Sequence, residues 1–563
     1  MIKKNKILIL FAILFVSAAG VLFYFWPQLS RYYQLFKYAG NFDYEVFSDE
    51  YQKDYVYPEQ KFLDVQKYEL KIKIDFNRET IKATANLFIK IKKNGLNKIV
   101  LNFRKGLIID LLLVNNIKEK FKWANDHLII EGVKGNGIIN LTIDYHGKPE
   151  NSGLGSFVFS KFNGRKYLYT INEPVYASSW FPCNDLPTDK ALFRISIEAP
   201  KENISISNGK LVSIKDEGLN KIFFWKSQYP IATYLVAIYS GKYSEIKDSI
   251  SLKNQKLLIE NYVFPEDSVN ALVDLRIQKK GLKIFSDMFG DYPFIKEKYG
   301  VVEITWPLGG IENQTVSGIG AKYFTGENLF EDLFLHELAH QWWGNAVTLS
   351  NWKEIWMNEG FAVYSVGLFD EKAYGRNSLE AFMYEKKEDF NNGTLEEPGR
   401  YGLSNLTYFK GAWVLHMLRG VIGDNLFFKL LKTYYSSLKF KNSSTKAFFS
   451  LIEKLSGKNL NYFKEQWLNK KGIINLIVKW KSNFVKKSKY IVTIKLKQFG
   501  RFNNYHFPVE LKFVNKEKTK FVRQIFFINN TDTLINYSIS FMPDSLIVDP
   551  EVKLLAHYKV VKL

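Results

Sequence analysis

The stretch Phe334–Asn345, FLHELAHQWWGN, sets His336 and His340 four residues apart with Glu337 beside the first. On an α-helix a four-residue step returns to one face a turn further along, so both imidazoles can point at a single ion. Glu337, adjacent to one ligand, can then reach a water on that ion and take its proton, the arrangement of zinc-dependent hydrolases. Two helical histidines also pack in cores, and the short motif alone does not separate the two readings. The chain holds only seven histidines, however, and two fall here. The segment WKEIWMNEGFAVY also supplies Glu359, 19 positions after His340. A catalytic zinc takes three protein ligands and keeps one position open, and a carboxylate from the following helix completes that set. Cobalt or manganese suits the same donors.

These residues need a helical scaffold, and the hydrophobic pattern provides one in the middle of the chain. Leu272, Leu275, Leu282, Phe285 and Phe289 predict a helix ending at Gly290, and helices dominate from there to about residue 470. On either side the period is two. Tyr68, Leu70, Ile72, Ile74 and Phe76 alternate with polar residues, as do Ala85, Leu87, Ile89 and Ile91. Alternation returns with Tyr490, Val492, Ile494 and Leu496. The expected organisation is an N-terminal all-β domain over 63–248, an α+β catalytic domain over 249–472 and a small β domain over 473–563. Trp342, Trp343, Trp352 and Trp356 are expected to pack in the core around the paired helices.

The N-terminus reads as a membrane address. Lys3, Lys4 and Lys6 precede an uncharged run from Ile7 to Trp26, long enough to cross a hydrocarbon core of about 30 Å. A cleaved signal peptide is the alternative, but the apolar run continues beyond Ser17-Ala18-Ala19, so an uncleaved anchor over 1–26 is expected, followed by an arm over 27–62. The lysines stay inside, which sends the remainder outside the cytoplasm. Asn313-Gln314-Thr315 and Asn405-Leu406-Thr407 are glycosylation triplets beside the candidate site. A glycan there would block it, which points to a bacterial host.

Composition narrows the function class. The net charge of +21 is uneven: residues 251–410 carry 16 Lys/Arg against 23 Asp/Glu, and residues 475–563 carry 16 against 6. A nucleic-acid enzyme would surround its chemistry with positive charge, and no nucleic-acid partner is expected. The single cysteine, Cys183, rules out an intramolecular disulfide and is expected to be buried. No phosphate-binding Walker loop and no Gly-x-Ser-x-Gly nucleophile motif is present.

His336-Glu337-x-x-His340, 18 intervening residues and Glu359 resemble the gluzincin pattern of the aminopeptidase N family. Gly309–Asn313 (GGIEN) is similar to that family's exopeptidase motif. Thr407–Leu418 (TYFKGAWVLHML) resembles its catalytic-tyrosine segment, and Asn172–Ala191 (NEPVYASSWFPCNDLPTDKA) resembles the end of its N-terminal β domain. The resemblance runs from about residue 60 to 560. It implies a saddle-like β domain, a thermolysin-like catalytic domain, one Zn2+ per chain and peptide substrates with a free N-terminus.

It also implies roles for particular residues. Glu337 activates water and Tyr408 donates to the oxyanion. Glu312 and Glu173 hold the terminal ammonium. Gly309 and Gly310 let a substrate backbone approach as an added strand, and Asn313 belongs to the same binding segment. Ile311 replaces the family's usual methionine at a position lining the pocket for the first residue, which leaves that preference open. An endopeptidase on the same chemistry and a catalytically idle surface-binding relative are the alternatives. Many relatives carry a large helical C-terminal domain, whereas the residues after 470 here have a strand pattern.

Overall fold

The structure, a computed structural model, describes residues 56–563 apart from 134–136, 152–155, 400–401 and 487–488. The expected anchor lies outside the described residues, as does most of the expected arm. Among the described residues no helix is long and apolar enough to cross a membrane.

The N-terminal part is all-β. An eight-stranded sheet is built around Leu63–Asp75, which pairs antiparallel with Thr80–Ile91 and parallel with Leu192–Pro200. Tyr68, Leu70, Ile72 and Ile74 point into the core, as the two-residue period requires. A four-stranded sheet containing Arg165–Ile171 and Ile238–Gly241 adjoins it. Cys183 is fully buried.

The chain changes sheets between Gly241 and Ser244. The strand Ser244–Leu252 already belongs to the next domain, several residues ahead of the expected break at 248. Its sheet runs Ser244–Leu252, Gln255–Val263, Val301–Ile304, Ser317–Gly320, and ends at the short edge strand Gly310–Ile311. Nine α-helices among the described residues follow in order: α1 Ser268–Asp274, α2 Ile277–Phe289, α3 Glu331–Ala339, α4 Trp356–Tyr374, α5 Arg376–Glu385, α6 Gly411–Ile422, α7 Asp424–Leu438, α8 Thr445–Ser456 and α9 Asn461–Trp467. The helix expected up to Gly290 is thus two helices with a break at Leu275–Arg276. Gly290 ends the second one at φ +121°.

Strands resume at Ile474 and form two sheets, one of four and one of three strands. No C-terminal helical bundle is present among the described residues.

Two packing features place the site. Trp342, just past α3, lies against Phe285, Phe289 and Tyr292, and its indole donates to the Gly290 carbonyl at 2.9 Å. Trp343, Trp352 and Trp356 are buried as well. Helices α4 and α6 meet where Gly360 faces Gly411: a Cβ on Gly360 would lie 2.8 Å from the Gly411 backbone. That contact seats the residues preceding α6 beside Glu359. We predict that Gly411→Ala costs about 1–3 kcal/mol of stability from overpacking and lowers catalysis beyond what that loss explains. Denaturant midpoints and turnover of the folded protein check the two effects separately.

Candidate metal and peptide-binding site

Helix α3 presents His336 and Glu337, and His340 caps its end. The Nε2 atoms of the two histidines lie 3.0 Å apart. Glu359, in the first turn of α4, places Oε2 at 3.3 Å from His336 Nε2 and 3.4 Å from His340 Nε2. His340 Nδ1 donates to the Trp343 carbonyl at 3.0 Å, which fixes the tautomer and turns Nε2 toward the cluster. Glu359 thus joins the pair as its spacing predicts.

The N-terminal β domain completes the pocket. Oxygens of Glu173, Glu312 and Glu359 all lie within 4.8 Å of one another. Glu173 follows the strand Arg165–Ile171, and its loop is pinned by Asn172. The Asn172 amide donates to the Thr233 and Val236 carbonyls, and its oxygen accepts from the Trp180 indole. Glu312 is held by Asn345, whose amide donates to the Glu312 carbonyl at 2.7 Å. Asn172 and Asn345 both stand inside the recognised segments, yet nothing in their spacing marks them as supports. The β domain also holds the loop after α3 through Lys190, which donates to the Asn345 and Ala346 carbonyls.

Glu337 lies against the edge strand. A Cβ on Gly310 would fall 2.6 Å from its carboxyl group, so only glycine leaves Glu337 in place there. Gly309 adopts φ +149° and accepts a hydrogen bond from Gly320 N–H at 3.0 Å. Ile311 is buried in an apolar cluster shared with the β domain. Asn313 has a structural partner. It is fully buried, and its amide donates to the Tyr239 hydroxyl at 2.7 Å, so it shapes the turn that carries Glu312.

Tyr408 sits in a π-helical turn, Leu406–Lys410, a distortion common at functional sites. Its ring stacks on His336 at 5.9 Å between centroids. Lys410 Nζ donates to the Lys470 carbonyl at 2.7 Å, and Thr407 Oγ1 donates to the Gly402 carbonyl at 2.6 Å, so the turn is tied on both sides.

The electrostatics call for cations. Burial pushes Glu173 and Glu337 well above the usual carboxylate range, and Glu312 is raised for the same reason. Their mutual repulsion adds to the shift. Burial also opposes ionisation of Glu359, but the His340 charge and hydrogen bonds from both histidines outweigh it and bring the group to about 2. His340 is the complement: burial lowers it, but Glu359, Glu312 and Glu337 drive it to about 10. Glu173 Oε1, Glu312 Oε1 and Glu337 Oε2 are buried without a hydrogen-bond partner. Two converging imidazoles, one carboxylate as the third ligand and unpartnered buried oxygens fit a divalent ion of the zinc type. Burial, followed by the surrounding carboxylates, raises Tyr408, so its hydroxyl remains a proton donor.

The fold and this site define a two-histidine, one-glutamate metallopeptidase architecture. The chain matches the Peptidase family M1 domain over residues 273–467 and the Peptidase M1 N-terminal domain over 65–235, and it belongs to peptidase family M1. It is 26% identical over 438 residues to Probable aminopeptidase 1 of Sulfurisphaera tokodaii, covering 73% of this chain and 53% of that protein. The M1 zinc metallopeptidase of Deinococcus radiodurans superposes with a TM-score of 0.65 at 23% identity, over 72% of this chain and 93% of that one. Legionella pneumophila aminopeptidase A, solved with aspartic acid, superposes with a TM-score of 0.77 at 18% identity, over 90% of this chain and 60% of that one. At these identities the two structures establish the fold alone. The chain spans about half the length of the first curated relatives it matches.

Two outcomes follow from the geometry. Because the surrounding carboxylates favour the charged form of His340 and a metal takes the neutral imidazole, ion binding is expected to displace a proton. Zinc affinity of the chelator-treated protein should therefore rise about tenfold per pH unit for one displaced proton, read by calorimetry in buffers of different ionisation enthalpy. Gly310→Ala should leave metal content and melting temperature near wild type while lowering kcat on the order of a hundredfold, because it displaces Glu337. Metal analysis and steady-state kinetics check the split.

Proposed function

We propose that this protein is a zinc-dependent aminopeptidase that removes the first residue from peptides with a free N-terminus. The observation that carries this reading is the convergence of Glu173 and Glu312 beside the metal-ligand set, each with an unpartnered buried oxygen. A peptide α-ammonium is the cation that such a pair selects, and its fixed distance from the ligands sets the cut one residue in.

His336, His340 and Glu359 would hold the zinc. When bound, zinc lowers the pKa of a water and polarises the peptide carbonyl. Glu337 takes the proton from the attacking water and returns it to the departing amine, a role that suits a buried carboxyl with a raised pKa. The Tyr408 hydroxyl donates to the oxygen that gains charge at the tetrahedral carbon. The free edge of Gly310–Ile311 pairs with the substrate backbone as an added strand. Glu173 and Glu312 also disfavour the interior of a longer peptide, which brings no charge to offset theirs. This weighs against the endopeptidase reading.

The placement is part of the same proposal: residues 7–26 anchor the protein in the cell membrane of a bacterium, with the catalytic domain on the outer side. The uncharged run after three lysines supports it.

Hydrolysis of a panel of aminoacyl-arylamides tests the activity. Glu337→Gln should lower kcat by roughly 10²–10⁴. Tyr408→Phe should lower it by roughly 10²–10³ with little change in KM. Chelator should abolish turnover and zinc restore it. Wild-type rates in Glu337→Gln, or indifference to chelator, would contradict the reading.

A further inference from the structure

The C-terminal β domain is not used by the chemistry above, and its far end has an unusual surface. The strand Ile474–Lys486 leaves the catalytic domain just after α9 and runs 13 residues outward, about 40 Å at the usual rise per residue. Its end meets two other chain reversals and the end of the last strand. Tyr490 pairs with Ile539, which places the loop leading to Met542 beside the first hairpin. Val514 pairs with both Phe521 and Ser545, so the 515–520 turn lies at the same end. Lys562 Nζ, on the last strand, donates to the Asp544 carbonyl at 2.8 Å and closes the group. A shallow pocket of about 350 Å³, lined by Lys489, Val522 and Tyr537–Ser540, opens between the two sheets here.

This end exposes large apolar side chains: Phe484 is 65% accessible, Phe521 57% and Met542 60%, with Val485 beside them. They stand among Lys486, Lys489, Lys516, Lys518 and Lys520, all exposed. Among the described residues no ion pair engages these five lysines. Glu517 and Asp544 are the acids nearby, and Asp544 already faces Lys562 at 3.5 Å. Residues 475–563 as a whole carry 16 Lys/Arg against 6 Asp/Glu.

We propose that this tip docks onto an anionic lipid surface. Apolar side chains at strand ends and in the loop that carries Met542, set beside lysines, match a membrane interface in two respects: the rings enter the headgroup region and the ammonium groups meet lipid phosphates. The charge decides between occupants: the core of a protein interface is depleted in lysine, and a nucleic acid would need a continuous basic track. Here five lysines without an ion pair among the described residues give this end a charge complementary to a lipid surface, and Phe484, Phe521 and Met542 are exposed beside them. The tip stands at the opposite end of the domain from α9, so docking would hold the catalytic domain off the bilayer. The proposal rests neither on the anchor nor on the aminopeptidase reading.

The test uses the full chain. Cys183 is buried, so Ser540→Cys provides one accessible thiol at the tip for an environment-sensitive fluorophore. The labelled protein is added to vesicles of phosphatidylcholine with about one-third phosphatidylglycerol, or of phosphatidylcholine alone, each carrying nitroxide-labelled acyl chains. The expected result is blue-shifted, quenched emission on the anionic vesicles, at least threefold weaker on the neutral ones. It should be lost in a variant combining K486Q, K489Q, K516Q, K518Q and K520Q, and separately in F484S/F521S. Circular dichroism melts confirm that both variants fold. An unchanged spectrum on anionic vesicles, equal quenching on both vesicle types, or a shift that follows protein self-association instead of lipid would overturn the proposal.

Discussion

Four glutamates share one buried space in this protein, and that crowding governs the rest. Glu173, Glu312 and Glu359 approach within 4.8 Å, and Glu337 joins them from α3. A pair of like charges at that separation repels by roughly 3 kcal/mol at an effective dielectric of 20. No packing preference gathers such groups, and burial together with mutual repulsion pushes Glu173, Glu312 and Glu337 above the usual carboxylate range. A divalent ion among His336, His340 and Glu359, together with an ammonium between Glu173 and Glu312, would neutralise the cluster in two separate places. On the proposed reading, the distance between those places is a ruler for where a peptide is cut.

The architecture serves to hold that cluster against its own repulsion. Each glutamate comes from a different element: the β-domain loop after Arg165–Ile171, the turn after the edge strand, α3 and α4. Backbone carbonyls and amides restrain the loops through Asn172, Asn345 and Lys190. Glycine permits the closest approaches, at Gly310 against Glu337 and at Gly360 against Gly411. The π turn carrying Tyr408 is tied through Lys410 to Lys470, just ahead of the C-terminal strands. The segment leading into the third domain thus borders that turn, while the domain's basic, apolar tip stands at its far end.

Much of this was legible in the sequence because the relevant signals are local. His336, Glu337 and His340 share a helix, and helical geometry alone joins them. Glu359 followed from zinc's need for a third ligand. The alternation of Tyr68, Leu70, Ile72 and Ile74 reports a half-buried sheet directly. Glu173 was different: it is some 160 residues before His336 in the chain, and only the family resemblance connected it to the site. For Asn313 the motif gives adjacency without orientation, and the hydrogen bond from its amide to the Tyr239 hydroxyl is not legible in it. The break between α1 and α2 was missed because the apolar spacing of Leu272 to Phe289 runs across it. Asn172, Asn345 and Lys190 act through backbone carbonyls, which leave no trace in residue type.

The central claim is that buried glutamates read the free end of a peptide. The most direct measurement is kcat/KM for one peptide with its amino terminus free and with it acetylated, in the wild type and in Glu312→Gln and Glu173→Gln. Removing the ammonium costs a charge-assisted contact to buried carboxylates, and the account predicts a loss of at least about a hundredfold on acetylation. The loss should shrink markedly in either glutamine variant. Equal cleavage of the free and acetylated peptides by the wild type would contradict the account.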